Sequence, residues 1–226
     1  LLVMLAGGIL ARTGDARLAW SAAMGVLAAA FLLFGTWHRF VLPRPAADRQ
    51  GDVRDVPRFV REFLGTFGSF FRKRRIAALL LFLLLYRFGE AQLVKMTAPF
   101  MLDARAAGGL GLTTTEVGFI KGTVGVAALV LGGILGGWVV SRHGLKAWLW
   151  PMLLAIHLPD AAFLYLAYVQ PGSPAVVQAC VAVEQFGYGF GFTAYLLYMI
   201  HIARGEHSTA HYAICTGFMA LGMMIP

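Results

Sequence analysis

The chain has 226 residues, a mean hydropathy of +0.72, 59% hydrophobic residues and 13% charged residues, against about 25% charged residues in soluble domains. This excludes an ordinary soluble domain and predicts an integral membrane protein. A formal charge of +8 would suit a nucleic-acid binder if the basic residues shared one solvated face, but ten of the nineteen fall between Arg39 and Arg75, beside apolar segments. Membrane topology accounts for them, and no nucleic-acid partner is expected.

The chain opens in an apolar run, 1–11, and stops inside another that begins near 212. A bilayer crossing takes about 20 apolar residues, so both runs read as cut spans and the chain as an internal fragment of a longer protein. Between them lie apolar windows at 18–38, 76–102, 115–140, 147–169 and 175–203. The expected total is five or six spans plus a partial one, joined mostly by short loops.

The stretch 43–75 is the one long connection, rich in proline and charge at first and then regularly patterned. Val56, Phe59, Val60, Phe63, Leu64, Phe67, Phe70 and Phe71 recur at helical spacing, with Arg58, Arg61 and Glu62 on the other side. Pro57 suits a first turn, and Asp55 before it suits a cap. The pattern predicts an amphipathic helix at the membrane surface, its arginines among anionic head groups; a helix packed on a soluble partner domain is the plainer alternative. It ends in Arg72-Lys73-Arg74-Arg75, which abuts the apolar run from Ile76 to Leu85. Such a junction marks the cytoplasmic end of a span. With 39–75, 141–146 and 204–211 inside, thirteen basic residues face the cytoplasm, against Arg12, Arg17 and Arg105 outside. Cys180 and Cys215 then fall near opposite faces, too far apart to pair, and are expected as inert thiols.

Charge inside a span costs at least about 2.5–3.5 kcal/mol per group, so such residues face a bundle interior or a watery cavity. Segment 76–102 carries Arg87, Glu90 and Lys95, which share an arc of about 140°. Arg87 can pair with Glu90 three residues on. The plain reading is a structural ion pair; the functional reading is a proton- or substrate-binding cluster, favoured because Lys95 has no evident partner on its own helix. Segment 175–203 carries Glu184, Tyr188, Gly191, Tyr195 and Tyr198 in one stripe about 80° wide. These are candidates to line a cavity for a polyhydroxylated or peptidic ligand, against interhelical hydrogen bonding and an interfacial tyrosine belt. Gly118, Gly122, Gly125, Gly132 and Gly136 align as a packing stripe with Lys121 at its edge. His157 and Asp160 flank Pro159, as a structural pair or part of a proton relay.

Two patterns are discounted. Gly187, Gly189 and Gly191 lack the strand-turn-helix setting of a nucleotide loop. His207 and His211, with His201 nearby, have ligand-like spacing but too few partners for a metal centre, so no metal and no cofactor are expected.

The run Gly137-Trp138-Val139-Val140-Ser141-Arg142-His143-Gly144-Leu145-Lys146 resembles the cytoplasmic loop signature of the major facilitator superfamily, with Ser141 at the aspartate position. The residues carrying that signature are Gly137, Ser141, Arg142, Gly144 and Lys146. More closely, Leu85 to Glu90, 111–137, Val183 to Gly189 and Ser208 to Ala213 resemble the AmpG-type muropeptide permeases and the wider peptide/acetyl-CoA transporter family. Glu184 matches the family directly and Glu90 conservatively.

The resemblance implies an all-α integral membrane fold, a fragment of a twelve-helix, 6+6 major facilitator bundle. Residues 1–41 would end the N-terminal bundle (part of helix 5 and helix 6), 42–75 would form the cytoplasmic linker, and 76–226 would hold helices 7 to 11. Helices 7, 8, 10 and 11 would line the cavity and place Arg87, Lys95, Lys121, Tyr188, Tyr195 and Tyr198 there, with Glu90 and Glu184 as proton-coupling residues. The implied protein is a monomeric, proton-driven importer of anhydromuropeptides in the bacterial inner membrane, and not an enzyme. The alternatives are the same fold carrying acyl-CoA, a sugar or a peptide, a non-transporting sensor, or a membrane metalloenzyme using His201, His207 and His211.

Overall fold

A computed structural model of the chain describes residues 2–43 and 56–225, and every described element of regular structure is helical. The expected cap at Asp55 lies outside the described residues, as do the side chains of Arg58 and Phe59. Helix α1, Leu2–Thr13, turns at Gly14 into α2, Ala16–Val41. Gly14 has φ +67, which a residue without Cβ adopts at no cost. Asp15 caps α2, its Oδ1 accepting from the backbone N–H of Arg17 at 2.8 Å and of Leu18 at 3.2 Å. Phe31, Leu32, Leu33, Phe34, Trp37 and Phe40 of α2 stand exposed, a surface that suits lipid.

Helix α3, Val56–Phe71, has the amphipathic pattern expected, with Val60, Phe63 and Leu64 exposed. Its last turns do something the pattern did not indicate. Phe70 is fully buried, 5.5 Å from the ring of His211 and 6.5 Å from that of Phe218. The helix is thereby docked at one end on α11, Ser208–Met224.

Three spans are built from broken helices. The first joins α4, Ile76–Leu85, to α5, Phe88–Leu102. The second joins α6, Thr114–Phe119, through a π-helical turn, Ile120–Gly125, to α7, Val126–His143. The third joins α8, Leu145–His157, through a 3-10 turn, Leu158–Asp160, to α9, Ala161–Val169. With α2, these make four helices long and apolar enough to cross a membrane among the described residues, so the chain is a multi-pass, all-helical membrane protein. The fifth expected window becomes α10, Pro174–Ala203, which has the length at 30 residues but is outside those four. The reason is its position. It packs between α7 and α8 and against α11, and a helix enclosed by protein needs no apolar surface for lipid.

Glycines set that enclosure. A Cβ on Gly189 would strike the carbonyl of Leu129 on α7, while Cβ atoms on Gly187 and Gly191 would strike the carbonyls of Ala155 and Met152 on α8. Residues two apart lie about 200° apart around a helix and residues four apart nearly in line, so alternate glycines serve opposite flanks. The run 187–191 is thus a packing device on both sides.

Two apolar clusters occupy the two ends of the bundle. Leu83, Tyr86, Ile156, Tyr195, Met199 and Cys215 belong to one; Met101, Val117, Phe163, Leu166, Val177 and Val181 to the other. Lys73 Nζ donates to the Arg204 carbonyl at the first end (2.9 Å), and Arg105 donates to the carbonyls of Gln170 and Pro171 at the second (2.7 and 2.9 Å). On α4–α5, α8–α9 and α10 the residues between the clusters include 87–90, 157–160 and 184–188. A polar layer therefore lies between two dry ones.

Candidate functional site

The layer begins where the first span breaks. Tyr86 and Arg87 separate α4 from α5, and Arg87 takes φ −110, ψ 9, outside the helical region. This turns the guanidinium inward: Arg87 is 6% exposed and Glu90 2%. Arg87 donates twice to Glu90 Oε2, from Nε at 3.1 Å and from Nη2 at 2.8 Å. Nη2 also donates to the Tyr188 hydroxyl at 2.7 Å, and the guanidinium lies 4.6 Å from the centre of the Phe192 ring, a cation–π placement. The sequence-level pairing of Arg87 with Glu90 is present, and α10 completes it.

The second pair comes from the π-helical turn. Such a turn inserts a residue into the helical register and is often found at functional positions. Lys121 sits on it with Nζ 4.0 Å from Glu184 Oε2 and 5.4 Å from the Phe163 ring centre. Gln185 Nε2 lies within hydrogen-bonding distance of both Glu184 oxygens, at 3.0 and 2.9 Å. Glu184 is 2% exposed, so its charge is met by protein groups.

The third element is the 3-10 turn. His157 Nε2 lies 2.9 Å from the Tyr86 carbonyl at the break of the first span, and Nδ1 lies 3.7 Å from Asp160 Oδ2. Asp160 Oδ1 is buried without a hydrogen-bond partner. Glu90, Glu184 and Asp160 are within electrostatic reach of one another, and Lys121 is within reach of Glu90. The layer thus gathers three carboxylates, two fixed cations and one imidazole from three spans and α10.

Other residues expected in a cavity are placed differently. Tyr195 is fully buried and its hydroxyl donates to the Leu83 carbonyl at 2.7 Å, so it belongs to the core. Tyr198 is half-buried against Phe82, 4.3 Å between ring centres. Lys95 points away from Arg87 and Glu90, exposed, with Nζ 3.5 Å from the Met224 carbonyl of α11; the arc of 140° was wide enough to let it do so. His207 and His211 share the start of α11 with rings 6.1 Å apart, whereas His201 stacks on Tyr198. Cys180 and Cys215 are free thiols.

The loop motif lies at the end of α7. Ser141 Oγ donates to the Trp138 carbonyl at 2.7 Å, and Arg142 stacks on Trp138 at 4.8 Å. Gly144, with φ +81, ends the helix, and Lys146 is exposed in the first turn of α8. Gly137 has open space where a Cβ would be. Sequence reasoning missed Tyr86, Gln185, Phe192 and the π-helical turn. Tyr86 and Gln185 do lie in the segments that carried the family resemblance.

No family model matches the chain. Among curated proteins it is 24% identical over 202 residues to a Rickettsia conorii protein assigned as transporter AmpG 4, covering 89% of this chain and 47% of that protein. It is 25% identical over 170 residues to the Rickettsia felis protein of the same name, covering 75% and 39%. It is 23% identical over 221 residues to the anhydromuropeptide permease of Escherichia coli K12, covering 97% and 43%. The chain spans less than half the length of these relatives, and the similarity covers 75% to 97% of its own.

Proposed function

We propose that this chain supplies part of a secondary active transporter of the bacterial inner membrane that imports anhydromuropeptides with protons and performs no catalysis. The observation that carries the reading is two buried carboxylates, Glu90 held by the buried Arg87 and Glu184 met at 4.0 Å by the half-buried Lys121, in one polar layer between two apolar clusters. Two-fold buried charge is costly in a membrane and characteristic of substrate and proton pathways. The AmpG-like relatives support the solute class. In this reading the linker 42–75 is cytoplasmic, and the basic run 72–75 anchors it there.

A guanidinium matches a carboxylate in plane and donates to it bidentately. Glu90 occupies that face of Arg87 through Oε2 alone. A substrate carboxylate competes for it, and a proton on Glu90 removes the competing charge. Lys121 and Glu184 form a second site of the same logic. Proton and solute then each favour the access state in which the cations are shared with the solute, which is the differential binding that a population shift requires. Tyr188, already bonded to Arg87, offers its ring and hydroxyl to a sugar or peptide.

The test is uptake of labelled anhydromuropeptide by cells or proteoliposomes carrying the full-length protein, with and without an imposed proton gradient. Gradient-dependent uptake is expected, with loss of accumulation in Glu90→Gln and Glu184→Gln. No uptake by a folded, inserted protein would discard this solute.

A further inference from the structure

The strongest unassigned feature is the contact among Tyr86, His157 and Asp160. A carbonyl oxygen only accepts, so His157 Nε2, at 2.9 Å from the Tyr86 oxygen, is the nitrogen that carries a proton. In the neutral ring Nδ1 is then bare. It faces Asp160 Oδ2 at 3.7 Å, and a bare nitrogen lone pair against an ionised carboxylate is repulsive. The contact is attractive only when one proton lies on the pair, on Nδ1 as imidazolium or on Asp160 as the acid.

The surrounding groups do not supply it. Around His157 stand Asp160 three residues on, Tyr86 at the break and Glu90 on α5; Arg87 at the break, Glu184 and Tyr188 on α10 and Lys121 on the π-helical turn complete the layer. Arg87 is engaged with Glu90 and Tyr188, and Lys121 with Glu184. Asp160 is the third carboxylate against two cations, and its Oδ1 is buried without a partner. With His157 neutral the layer carries one uncompensated negative charge; one proton balances it.

The same imidazole touches the hinge. Its Nε2–H is the bond to the carbonyl at the break between α4 and α5, and Gly89 just beyond leaves it room, since a Cβ there would lie 3.2 Å from Nδ1. We propose that His157 and Asp160 share one exchangeable proton of this layer, distinct from the proton that Glu90 or Glu184 takes up on transport, and that its presence holds the broken span in the arrangement seen. When the proton leaves to water, Nδ1 and the carboxylate repel, the ring turns, and the Tyr86 carbonyl is released. His157 and Asp160 are thus positioning residues for Arg87 and Glu90, a role that rests on the transport reading only where it concerns coupling.

The test uses the full-length protein in lipid. Infrared difference spectra between about pH 5 and about pH 8, the range in which imidazole titrates, read carboxyl and imidazole protonation without any solute. Because the chain holds six histidines and further carboxylates, the variants are read against the wild type: His157→Gln, which keeps a donor for the Tyr86 carbonyl, is expected to shift a carboxyl band, and Asp160→Asn, which keeps the shape, an imidazole band; no change in either overturns the proposal. In proteoliposomes, gradient-driven accumulation of labelled anhydromuropeptide is expected to fall at least tenfold in each variant while solute counterflow without a gradient continues. Wild-type accumulation in both variants likewise overturns it. If the wild type moves no such solute the transport reading fails, and the infrared result still decides the proton site.

Discussion

Ser69 and His211 lie 142 residues apart in the chain, and Ser69 Oγ is 2.9 Å from His211 Nε2. Ser69 spends its one proton on the Thr66 carbonyl at 2.7 Å, so the imidazole is the donor to Ser69. This bond and the burial of Phe70 tie the end of the amphipathic helix α3 to α11, next to Lys73 and its bond to the Arg204 carbonyl. An amphipathic helix whose Val60, Phe63 and Leu64 stand exposed is thereby joined to the bundle.

Ser69→Ala should weaken that junction by about 1 kcal/mol, the usual net value of one hydrogen bond. Amide exchange in the last turns of α3 should then speed up about fivefold in the lipid-embedded protein, if those turns open locally. Unchanged exchange would mean that Phe70 packing holds the helix unaided.

Gly132→Ala and Gly189→Ala should each lower the melting temperature. A Cβ on Gly132 would meet the Phe186 carbonyl, and one on Gly189 the Leu129 carbonyl. Backbone cannot rotate away as a side chain can, and overpacking of this kind costs about 1–3 kcal/mol or more. Gly137→Ala, with open space around it, should melt like the wild type. Equal melting of all three would show that α7 and α10 separate easily.

Arg87→Met should be strongly destabilising, by about 3–5 kcal/mol, because Glu90 is left as an unpaired buried charge. Arg87→Met combined with Glu90→Met should recover most of the loss, since replacing both partners of a buried pair by apolar groups is often neutral. Thermal unfolding of the single and double variants measures this. A double variant no more stable than the single one would show that the rest of the layer depends on the charges.

Tyr195→Phe and Tyr188→Phe should separate stability from solute handling. The first deletes the bond to the Leu83 carbonyl and should cost about 1 kcal/mol while leaving the KM for uptake unchanged. The second deletes an acceptor of Arg87 and should raise KM. A shift of KM in Tyr195→Phe would return that residue to the cavity.

Spans, the glycine stripe and the Arg87–Glu90 pair were legible in the residues, because each depends on composition or on neighbours within one helical turn. Lys95 shows the limit: its place on the helical wheel allowed it to join Arg87, yet rotation of α5 against α11 set it toward Met224. Tyr195 shows the same from the other side, since its stripe position suited a cavity and its packing against α4 put it in the core.

What the sequence by itself determined is that this chain crosses a membrane repeatedly and carries charge inside the spans, since hydropathy and periodicity are local sums. Tertiary structure decided which charges meet. Lys121 reaches Glu184 because glycines let α10 lie close to α7 and the π-helical turn resets the register there, and His157 reaches Tyr86 at the break of the first span, where Gly89 leaves the ring room. Pairings of this kind depend on helix rotation and close approach, and neither quantity is a property of any one segment.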